Sequence, residues 1–198
     1  MSASEDNPWT TLSTEQRFED EFFRVDDHRV INPAGREAHY GVVHFKNVGL
    51  RILPVDAEGH TFLVGQYRYG ADYFSWELPA GNQDPDEDSR DGAKRELREE
   101  VGQIATEWLD LAEIVPSGSI TDQRERSYVA WGLRKAEQDL DEQEAIRVKR
   151  LPFAEAVRMA LSGEIRDAGS IVALLLIDAK LRRGELPDGL MKLIGGAR

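Results

Sequence analysis

The chain has 198 residues, enough for one domain with a substantial core and a terminal arm. Its hydrophobic content of 40% and charged content of 31% are typical of a soluble globular protein, and no apolar run is long enough to cross a bilayer. The net charge of −12 argues against nucleic acid as a partner, because nucleic-acid-binding proteins usually carry a basic face. The lack of cysteine excludes disulfides and thiolate metal sites. The polar, acidic first residues do not resemble a secretory signal, so we expect a cytoplasmic protein without membrane association.

The first half of the chain is predicted to be rich in β-strands. Residues 1–16 have little hydrophobic periodicity, and we therefore expect them to form a mobile leader. Turn residues at Asn32-Pro33-Ala34-Gly35 join two strand-like segments into a hairpin. The predicted strands are residues 21–31 and 37–45 in this hairpin, 48–55 and 61–69 in a second hairpin, and 75–78 in a short strand that leads to Pro79-Ala80-Gly81. Pro79 restricts Leu78 to an extended conformation, so the chain is directed into the loop that follows.

The second half alternates strands with helices. Strands are predicted at residues 107–115, 125–133 and 145–150, and helices from Pro152 to about 161 and from 168 to 183, before a tail without clear pattern. The predicted helix at 168–183 is apolar over most of its surface and is therefore expected to be buried. The order of strands, helix, strands and helices predicts an α+β fold in the form of an α/β/α sandwich.

The stretch from Gly81 to Gly102 predicts an acidic loop followed by a helix. Asp86, Asp88 and Ser89 are candidate N-caps, and Gly102 is suited to end a helix. We therefore predict a loop over residues 81–87 and a helix from about 88 to 101.

Three glutamates of this predicted helix share one face. At about 100° per residue, Glu100 lies about 40° from Glu96, and Glu99 lies about 60° away on the other side. Like charges at these spacings repel, and a hard divalent cation such as Mg²⁺ would relieve the repulsion. The alternative is a solvated acidic face, as in most charged runs.

The fixed glycine, glutamate and arginine positions of this stretch resemble the Nudix box, the signature of the Nudix hydrolases. Those positions are Gly81, Glu87, Arg95, Glu96, Glu99, Glu100 and Gly102. Gln103 departs from the pattern, which usually has an apolar residue there. The resemblance implies a mixed β-sheet between helices with a β-rich N-terminal arm. We divide the chain into an arm and first hairpin at 1–40, a candidate dimerisation element, a Nudix domain at 41–184 and a tail at 185–198.

Residues outside the box resemble the ADP-ribose and nucleotide-sugar pyrophosphatase branch of the family. They are Gln66-Tyr67-Arg68, Trp76 to Gly81, Glu144 to Val148 and Gly169 to Leu174. The resemblance implies Mg²⁺-dependent hydrolysis of a nucleoside diphosphate sugar, with ADP-ribose favoured, to a nucleoside monophosphate and a sugar phosphate. The specificity loop Pro116-Ser117-Gly118-Ser119 alters the order and spacing usual in this branch.

The resemblance also assigns roles to individual residues. Glu96, Glu99, Glu100 and the carbonyl of Ala80 are expected to bind Mg²⁺, with Mn²⁺ as the alternative ion. Glu87 and Arg95 are expected to hold the loop against the helix, a structural role shared with Gly81 and Gly102. Catalysis is assigned to Glu99, Glu100 and a base, Glu144, with Glu142 in reserve. The alternative for Glu144 is an ordinary linker glutamate.

Substrate contacts are expected from Arg68, Glu77, Ser119, Arg124 and Arg126. A guanidinium such as that of Arg68 suits a phosphate, but a structural salt bridge with Glu77 explains it equally well. Arg124 and Arg126 have the alternative of being surface arginines. A homodimer is expected, and Trp9, Phe23 and Tyr40 are candidates to stack on the partner's nucleotide base or to pack within the arm.

The four histidines are scattered through the β-rich half, and we expect them to be structural. His39 and His44, the closest pair in sequence, would point to opposite faces of one strand. Three functional alternatives remain: hydrolysis of GDP-mannose or of several nucleotide sugars, a non-catalytic module that binds a nucleotide sugar, and, less favoured, hydrolysis of oxidised nucleotides. The three box glutamates are all present, which favours an enzyme over a binding module.

Overall fold

The computed structural model describes residues 6–137 and 146–195. The chain divides into two compact units. One unit contains the described residues up to Asn47 together with Ser117–Gln123, and the other contains Val48–Pro116 and the described residues from Arg124 onward. Within the described ranges, no helix is both long and apolar enough to cross a membrane.

The first unit is built on an antiparallel sheet of β1 (Thr10–Glu19), β2 (Phe23–Ile31) and β3 (Glu37–Phe45). The turn between β2 and β3 is closed by the N–H of Gly35, which donates to the carbonyl of Asn32 at 2.8 Å. Gly35 has φ 74°, a conformation that glycine adopts without strain. The predicted turn and first hairpin are confirmed.

The predicted leader is wrong from Thr10 onward, because Thr10–Glu19 forms strand β1. Every residue of this strand is exposed, so it lacks the alternation of buried and exposed residues by which strands are recognised. It is stabilised as an edge strand by its ladder with β2, in which, for example, Thr14 pairs with His28.

The second unit contains a four-stranded mixed sheet and a three-stranded antiparallel sheet. The mixed sheet has the order β7 (Ala80–Asn82), β4 (Gly49–Val55), β9 (Glu125–Lys135) and β8 (Gln103–Ile114), with β4 and β9 parallel. The other sheet has the order β10 (Arg147–Pro152), β5 (His60–Arg68) and β6 (Tyr73–Glu77).

The predicted second hairpin has the right strands but the wrong pairing. β4 and β5 belong to different sheets, although the turn between them is closed by a hydrogen bond from Asp56 N to His60 O at 2.9 Å. All seven residues of β4 are buried. A strand buried on both faces takes a central position, so β4 lies between β7 and β9 rather than beside β5.

Helices cover both faces of the sheets. They are α1 (Ser89–Val101), α2 (Phe153–Ser162), α3 (Ala168–Arg183) and α4 (Asp188–Gly195). On β4, Leu50 and Ile52 pack in a cluster with Leu97 of α1, whereas Leu53 and Val55 pack with α2, α3 and α4. The predicted α/β/α sandwich with a mixed sheet is confirmed.

The C-terminal segment contains a helix that the sequence pattern did not predict. In α4, Leu190 and Ile194 are buried, one turn apart on the same face, and they join the core that α2 and α3 form. This spacing was the available signal, but eight residues are too few for a periodicity to stand out.

Candidate active site

Helix α1 begins and ends at the predicted residues. Asp88 is its N-cap, and the Asp88 carboxylate accepts a hydrogen bond from Arg90 N at 2.9 Å. Gly102, at φ 65°, ends the helix and donates its N–H to Arg98 O at 2.9 Å. A capping side chain and a left-handed glycine therefore set the position of the glutamates between them.

Strand β7 brings the backbone of Ala80 to the buried glutamate of α1. Pro79 O accepts a hydrogen bond from Ile52 N at 2.9 Å, which fixes the chain against β4 just before β7. Ala80 N donates to Glu100 Oε2 at 2.9 Å, and Glu100 is only 2% exposed. Two of the predicted metal-binding residues, Ala80 and Glu100, thus lie next to each other.

Gly81 is required by a close approach rather than by its backbone angle. A Cβ atom at this position would collide with the carboxylate of Glu96. Because glycine has no Cβ, Glu96 can lie directly against β7, beside Ala80 and Gly81.

Arg95 organises the carboxylates on the exposed side of the site. Its Nη2 lies 3.1 Å from Glu87 Oε2 and donates to Asn82 O at 2.9 Å, which joins the loop to the helix. Its Nη1 lies 2.8 Å from Glu96 Oε1 and 3.1 Å from Glu99 Oε2. Burial acts to lower the pKa of Arg95, but hydrogen bonds and charges from Glu87 and Glu96 outweigh it and raise the pKa. Arg95 therefore relieves part of the repulsion between the glutamates, in addition to its predicted role with Glu87.

The residues present fit a hard divalent cation. Glu96, Glu99, Glu100 and the backbone of Ala80 offer oxygen donors, the ligands that Mg²⁺ prefers. The side chains of Glu96 and Glu99 are 13% and 26% exposed, so they are accessible to an ion and a substrate. In this structure the carboxylates of Glu96 and Glu99 both contact Arg95, so a bound ion would share these two carboxylates with Arg95.

Arg68 and Glu77 form a two-point ion pair. Arg68 Nε and Nη2 donate to the two carboxylate oxygens of Glu77 at 2.9 and 2.6 Å. Burial acts to raise the pKa of Glu77, but the hydrogen bonds from Arg68 and the charge of Arg51 outweigh it, so that the pKa is lowered. The salt bridge considered as the alternative for Arg68 is thus present. Its side chain is still 41% exposed, so part of the guanidinium faces solvent.

A buried arginine next to this pair was not predicted from the sequence. Arg51 is 6% exposed, and it lies 2.9 Å from both Glu125 and Asp167 and 3.6 Å from Glu77. Burial acts to lower the pKa of Arg51, but the charges of Asp167 and Glu125 raise it. The sequence signal that could have revealed this network is an arginine within the otherwise apolar strand β4. A buried cation requires carboxylate partners, so such an arginine predicts acidic residues nearby.

Gly169 and Ser170 of α3 complete this network. Ser170 Oγ accepts hydrogen bonds from Leu78 N at 2.8 Å and from Arg51 Nη1 at 3.3 Å. A Cβ at Gly169 would collide with the Glu125 carboxylate. These contacts fix Leu78, and they therefore set the position at which the chain enters Pro79-Ala80.

The predicted substrate contacts form separate groups. Arg124 and Arg126 share Glu113, at 3.2 and 3.1 Å, and Arg126 also donates to Ser89 Oγ at 2.9 Å. Ser119 belongs to the other unit, where its carbonyl accepts a hydrogen bond from Tyr40. Arg124 and Arg126 therefore form one group around Glu113, and Arg68 and Glu77 form another.

Two further sets of predicted residues have different outcomes. Glu144 and its reserve Glu142 lie outside the described residues.

The candidate stacking aromatics all contact other aromatics of their own unit. Trp9 and Tyr40 have ring centroids 5.3 Å apart, and Phe23 lies 5.6 Å from Phe18 and 6.1 Å from Phe45.

Comparison with known proteins identifies the family. The NUDIX domain model matches residues 46–174, and the model of the nucleoside diphosphate sugar hydrolase N-terminal domain matches residues 9–43. The chain belongs to the Nudix family. It is a Nudix hydrolase, as the box predicts.

Two known proteins and one solved structure are similar to this Nudix hydrolase over most of its length. An ADP-ribose pyrophosphatase of Mycobacterium tuberculosis is 34% identical over 178 residues, which cover 88% of this chain and 85% of that protein. A methanol dehydrogenase activator of Bacillus methanolicus is 29% identical over 83% of this chain and 89% of its own length. The crystal structure of an ADP compounds hydrolase matches with a TM-score of 0.82 over 93% of this chain and 100% of that one. At 23% identity, this last likeness concerns the fold.

Proposed function

We propose that this Nudix hydrolase cleaves the diphosphate bond of a nucleoside diphosphate sugar, with ADP-ribose as the preferred substrate and Mg²⁺ as the cofactor. The observation that carries the proposal is the approach of Glu96 and Glu100 to Ala80 and Gly81, which creates a site of oxygen donors. The 34% identity to an ADP-ribose pyrophosphatase supports the choice of substrate.

In the proposed mechanism, Glu96, Glu99, Glu100 and the Ala80 carbonyl hold Mg²⁺. A bound ion would supply charge neutralisation of the diphosphate and a lowered pKa for a nearby water. Glu100 is fixed by its hydrogen bond from Ala80 N, so its carboxylate is oriented before an ion binds.

Arg68 is proposed to contact a phosphate oxygen with the exposed part of its guanidinium. Its Nε and Nη2 are already held by Glu77, which orients the group. Arg124 and Arg126 are proposed to contact the terminal sugar phosphate. Ser119, in the specificity loop, is proposed as a separate substrate contact.

Glu144 is proposed as the general base that takes the proton of the attacking water, with Glu142 as the reserve. A carboxylate can serve in this role where it comes within hydrogen-bond reach of the water once substrate is bound. A Glu144→Gln variant is expected to lose about 10²- to 10⁴-fold in kcat. Unchanged turnover would move the base to Glu142, which the matching Glu142→Gln variant tests.

A substrate panel with Mg²⁺ in ¹⁸O-labelled water tests the proposed reaction. We expect ADP-ribose to have the highest kcat/KM and the label to appear in one phosphate product, because water attacks one phosphorus. Equal turnover of ADP-ribose, GDP-mannose and UDP-glucose would instead indicate a broad nucleotide-sugar hydrolase. Tight binding of ADP-ribose without any product would indicate a binding module. Replacing Mg²⁺ with Mn²⁺ in the same panel determines the preferred ion.

We also expect a homodimer, which light scattering of the full chain would measure. In a dimer, Trp9, Phe23 or Tyr40 is proposed to stack on the nucleotide base bound by the partner. Replacing Trp9 with leucine is then expected to raise KM more than it lowers kcat, since stacking contributes to substrate binding.

A further inference from the structure

One face of the N-terminal sheet brings together two histidines and an aspartate. Asp26 and His28 are two residues apart on β2 and therefore point to the same face. The register between β2 and β3 pairs Arg24 with His44, so His44 also lies on this face. The His28 and His44 rings have centroids 6.1 Å apart. We call Asp26, His28 and His44 the histidine cluster.

The histidine cluster contains buried polar atoms that no described residue satisfies. Asp26 is 5% exposed, and its Oδ1 makes no hydrogen bond within the described part of the chain. The same holds for His44 Nε2, which lies 3.5 Å from Asp26 Oδ2. Leaving such a buried group unsatisfied costs about 1–3 kcal/mol. Unsatisfied atoms on two buried or half-buried side chains that approach one another to 3.5 Å therefore indicate a missing ligand.

Both histidines are held in place through their other ring nitrogen. His44 Nδ1 lies 2.7 Å from Asp122 Oδ2, while Asp122 Oδ1 accepts a hydrogen bond from Phe45 N at 2.9 Å. His28 Nδ1 lies 2.9 Å from Thr14 Oγ1, and in the tautomer in which Nδ1 donates to this hydroxyl the Nε2 lone pair of His28 is available to a ligand. A histidine that binds a metal through one nitrogen usually has its second nitrogen hydrogen-bonded to a carboxylate or another oxygen.

We propose that the histidine cluster binds a divalent transition-metal ion, Zn²⁺ by its chemistry, at a site separate from the Nudix box. One ligand atom from each of Asp26, His28 and His44 lies within 4.8 Å of the others. A tetrahedral ion with bonds of about 2.0–2.1 Å would draw these atoms to roughly 3.4 Å apart, a movement that side-chain rotation supplies. Two imidazoles and a carboxylate match zinc sites that keep a fourth position for water. Mg²⁺ prefers oxygen donors and suits the box instead.

The charged groups around the histidine cluster are compatible with an ion. Arg24 Nε lies 3.1 Å from Asp26 Oδ2 as an ion pair without a hydrogen bond among the described residues, and Oδ1 is left for the ion. Asp122, on the outer side of His44, adds a negative charge that favours a cation. The side chain of His44 is 26% exposed, so the ring reaches the surface although its Nε2 is buried. The rival explanation is a set of imidazolium–carboxylate ion pairs without metal.

The test is Zn²⁺ binding to the full chain after removal of metals with a chelator, with excess Mg²⁺ present to fill the oxygen-only site of the box. We expect one Zn²⁺ per chain to be retained on gel filtration and measured by elemental analysis. His44→Asn and Asp26→Asn are expected to weaken Zn²⁺ binding at least about 100-fold, and Asp122→Asn about 10- to 100-fold. His39→Asn is the matched control, since His39 points to the opposite face of β3 and pairs with Asp27. It should bind Zn²⁺ as the unaltered chain does.

Two outcomes of the binding measurement would overturn the proposal: a chain that retains no Zn²⁺, or His44→Asn and Asp26→Asn variants that bind it as tightly as the control. The first would establish the ion-pair explanation, and the second would place the ion elsewhere. ¹⁵N NMR of the histidine rings in the unaltered chain tests the site even if these variants fail to fold. Zn²⁺ should shift the ring nitrogens of His28 and His44 but not those of His39 and His60. Shifts confined to the latter two would equally refute it.

Discussion

Two arginines of the second unit each collect carboxylates, but they differ in burial. Arg51 lies among Glu77, Glu125 and Asp167, and its side chain is 7% exposed. Arg95 lies among Glu87, Glu96 and Glu99, and its side chain is 27% exposed. The two groups have almost the same composition, so their different roles come from their surroundings.

The difference in burial separates a fixed network from one that can rearrange. Removing one partner from a buried ion pair leaves a charge in a low-dielectric interior, and this strongly destabilises the fold. A partly exposed pair is compensated by water, so its carboxylates can exchange Arg95 for a metal ion at little cost. The Arg51 network therefore supports the strand that enters the candidate site, whereas the Arg95 network contains the glutamates that we propose to bind the metal ion.

The largest expected effect is on stability, from replacing the buried arginine. Arg51→Met should lower the free energy of unfolding by about 3–5 kcal/mol, because it leaves Glu125 and Asp167 without their cation. Arg95→Met is the matched control and should cost about 1 kcal/mol or less. Urea denaturation followed by circular dichroism measures both. Equal losses in the two variants would contradict the distinction between the networks.

The next largest effect is on activity. Glu100→Gln should lower kcat by on the order of 10²–10³-fold, since a bound metal contributes several kcal/mol of transition-state stabilisation. The substitution keeps the size of the side chain, so the fold should be retained. Glu107→Gln, at an exposed position of β8, is the control and should keep full activity. Full activity of the Glu100 variant with Mg²⁺ would refute the metal assignment.

Substitutions at two glycines separate an effect on activity from an effect on stability. Gly81→Ala should reduce kcat/KM by about 10- to 100-fold, because the new methyl group displaces the flexible end of Glu96 from β7. Gly163, at φ 79° with open space where a Cβ atom would lie, is the comparison. Gly163→Ala should cost about 1 kcal/mol of stability from backbone strain and leave kcat/KM unchanged. Activity assays and thermal unfolding of both variants distinguish these results.

The smallest effect concerns acid stability. The pKa of Glu77 is lowered from 4.5, so its ionisation stabilises the fold above about pH 4.5 and this contribution is lost as the pH falls through the lower folded-state pKa. The pKa of Glu87 is also lowered, by its hydrogen bond from Arg95. Because Glu87 is more exposed than Glu77, its contribution should be smaller.

Denaturation at a series of pH values between about 3 and 7 measures this contrast. Glu77→Gln should be less stable than the unaltered chain at neutral pH, and the difference should shrink as the pH falls. Glu87→Gln should show the same trend with a smaller amplitude. A Glu77 variant whose deficit grows on acidification would reverse the inferred sign.

The sequence alone determined the site helix, because its signals are local. Asp88 and Gly102 mark the ends of α1, and the spacing of Glu96, Glu99 and Glu100 along one helix predicts their common face. The same holds for the turn at Asn32 and Gly35, which depends on four neighbouring residues.

Tertiary structure decided the contacts between distant segments. Arg51, Glu125 and Asp167 come from three separate parts of the chain, and no spacing in the sequence relates them. Likewise, His28 and His44 share a face because of the register between β2 and β3, whereas the closest pair in sequence does not. Helix periodicity and capping act within a few residues, but strand pairing and charge burial depend on which segments the whole fold brings together.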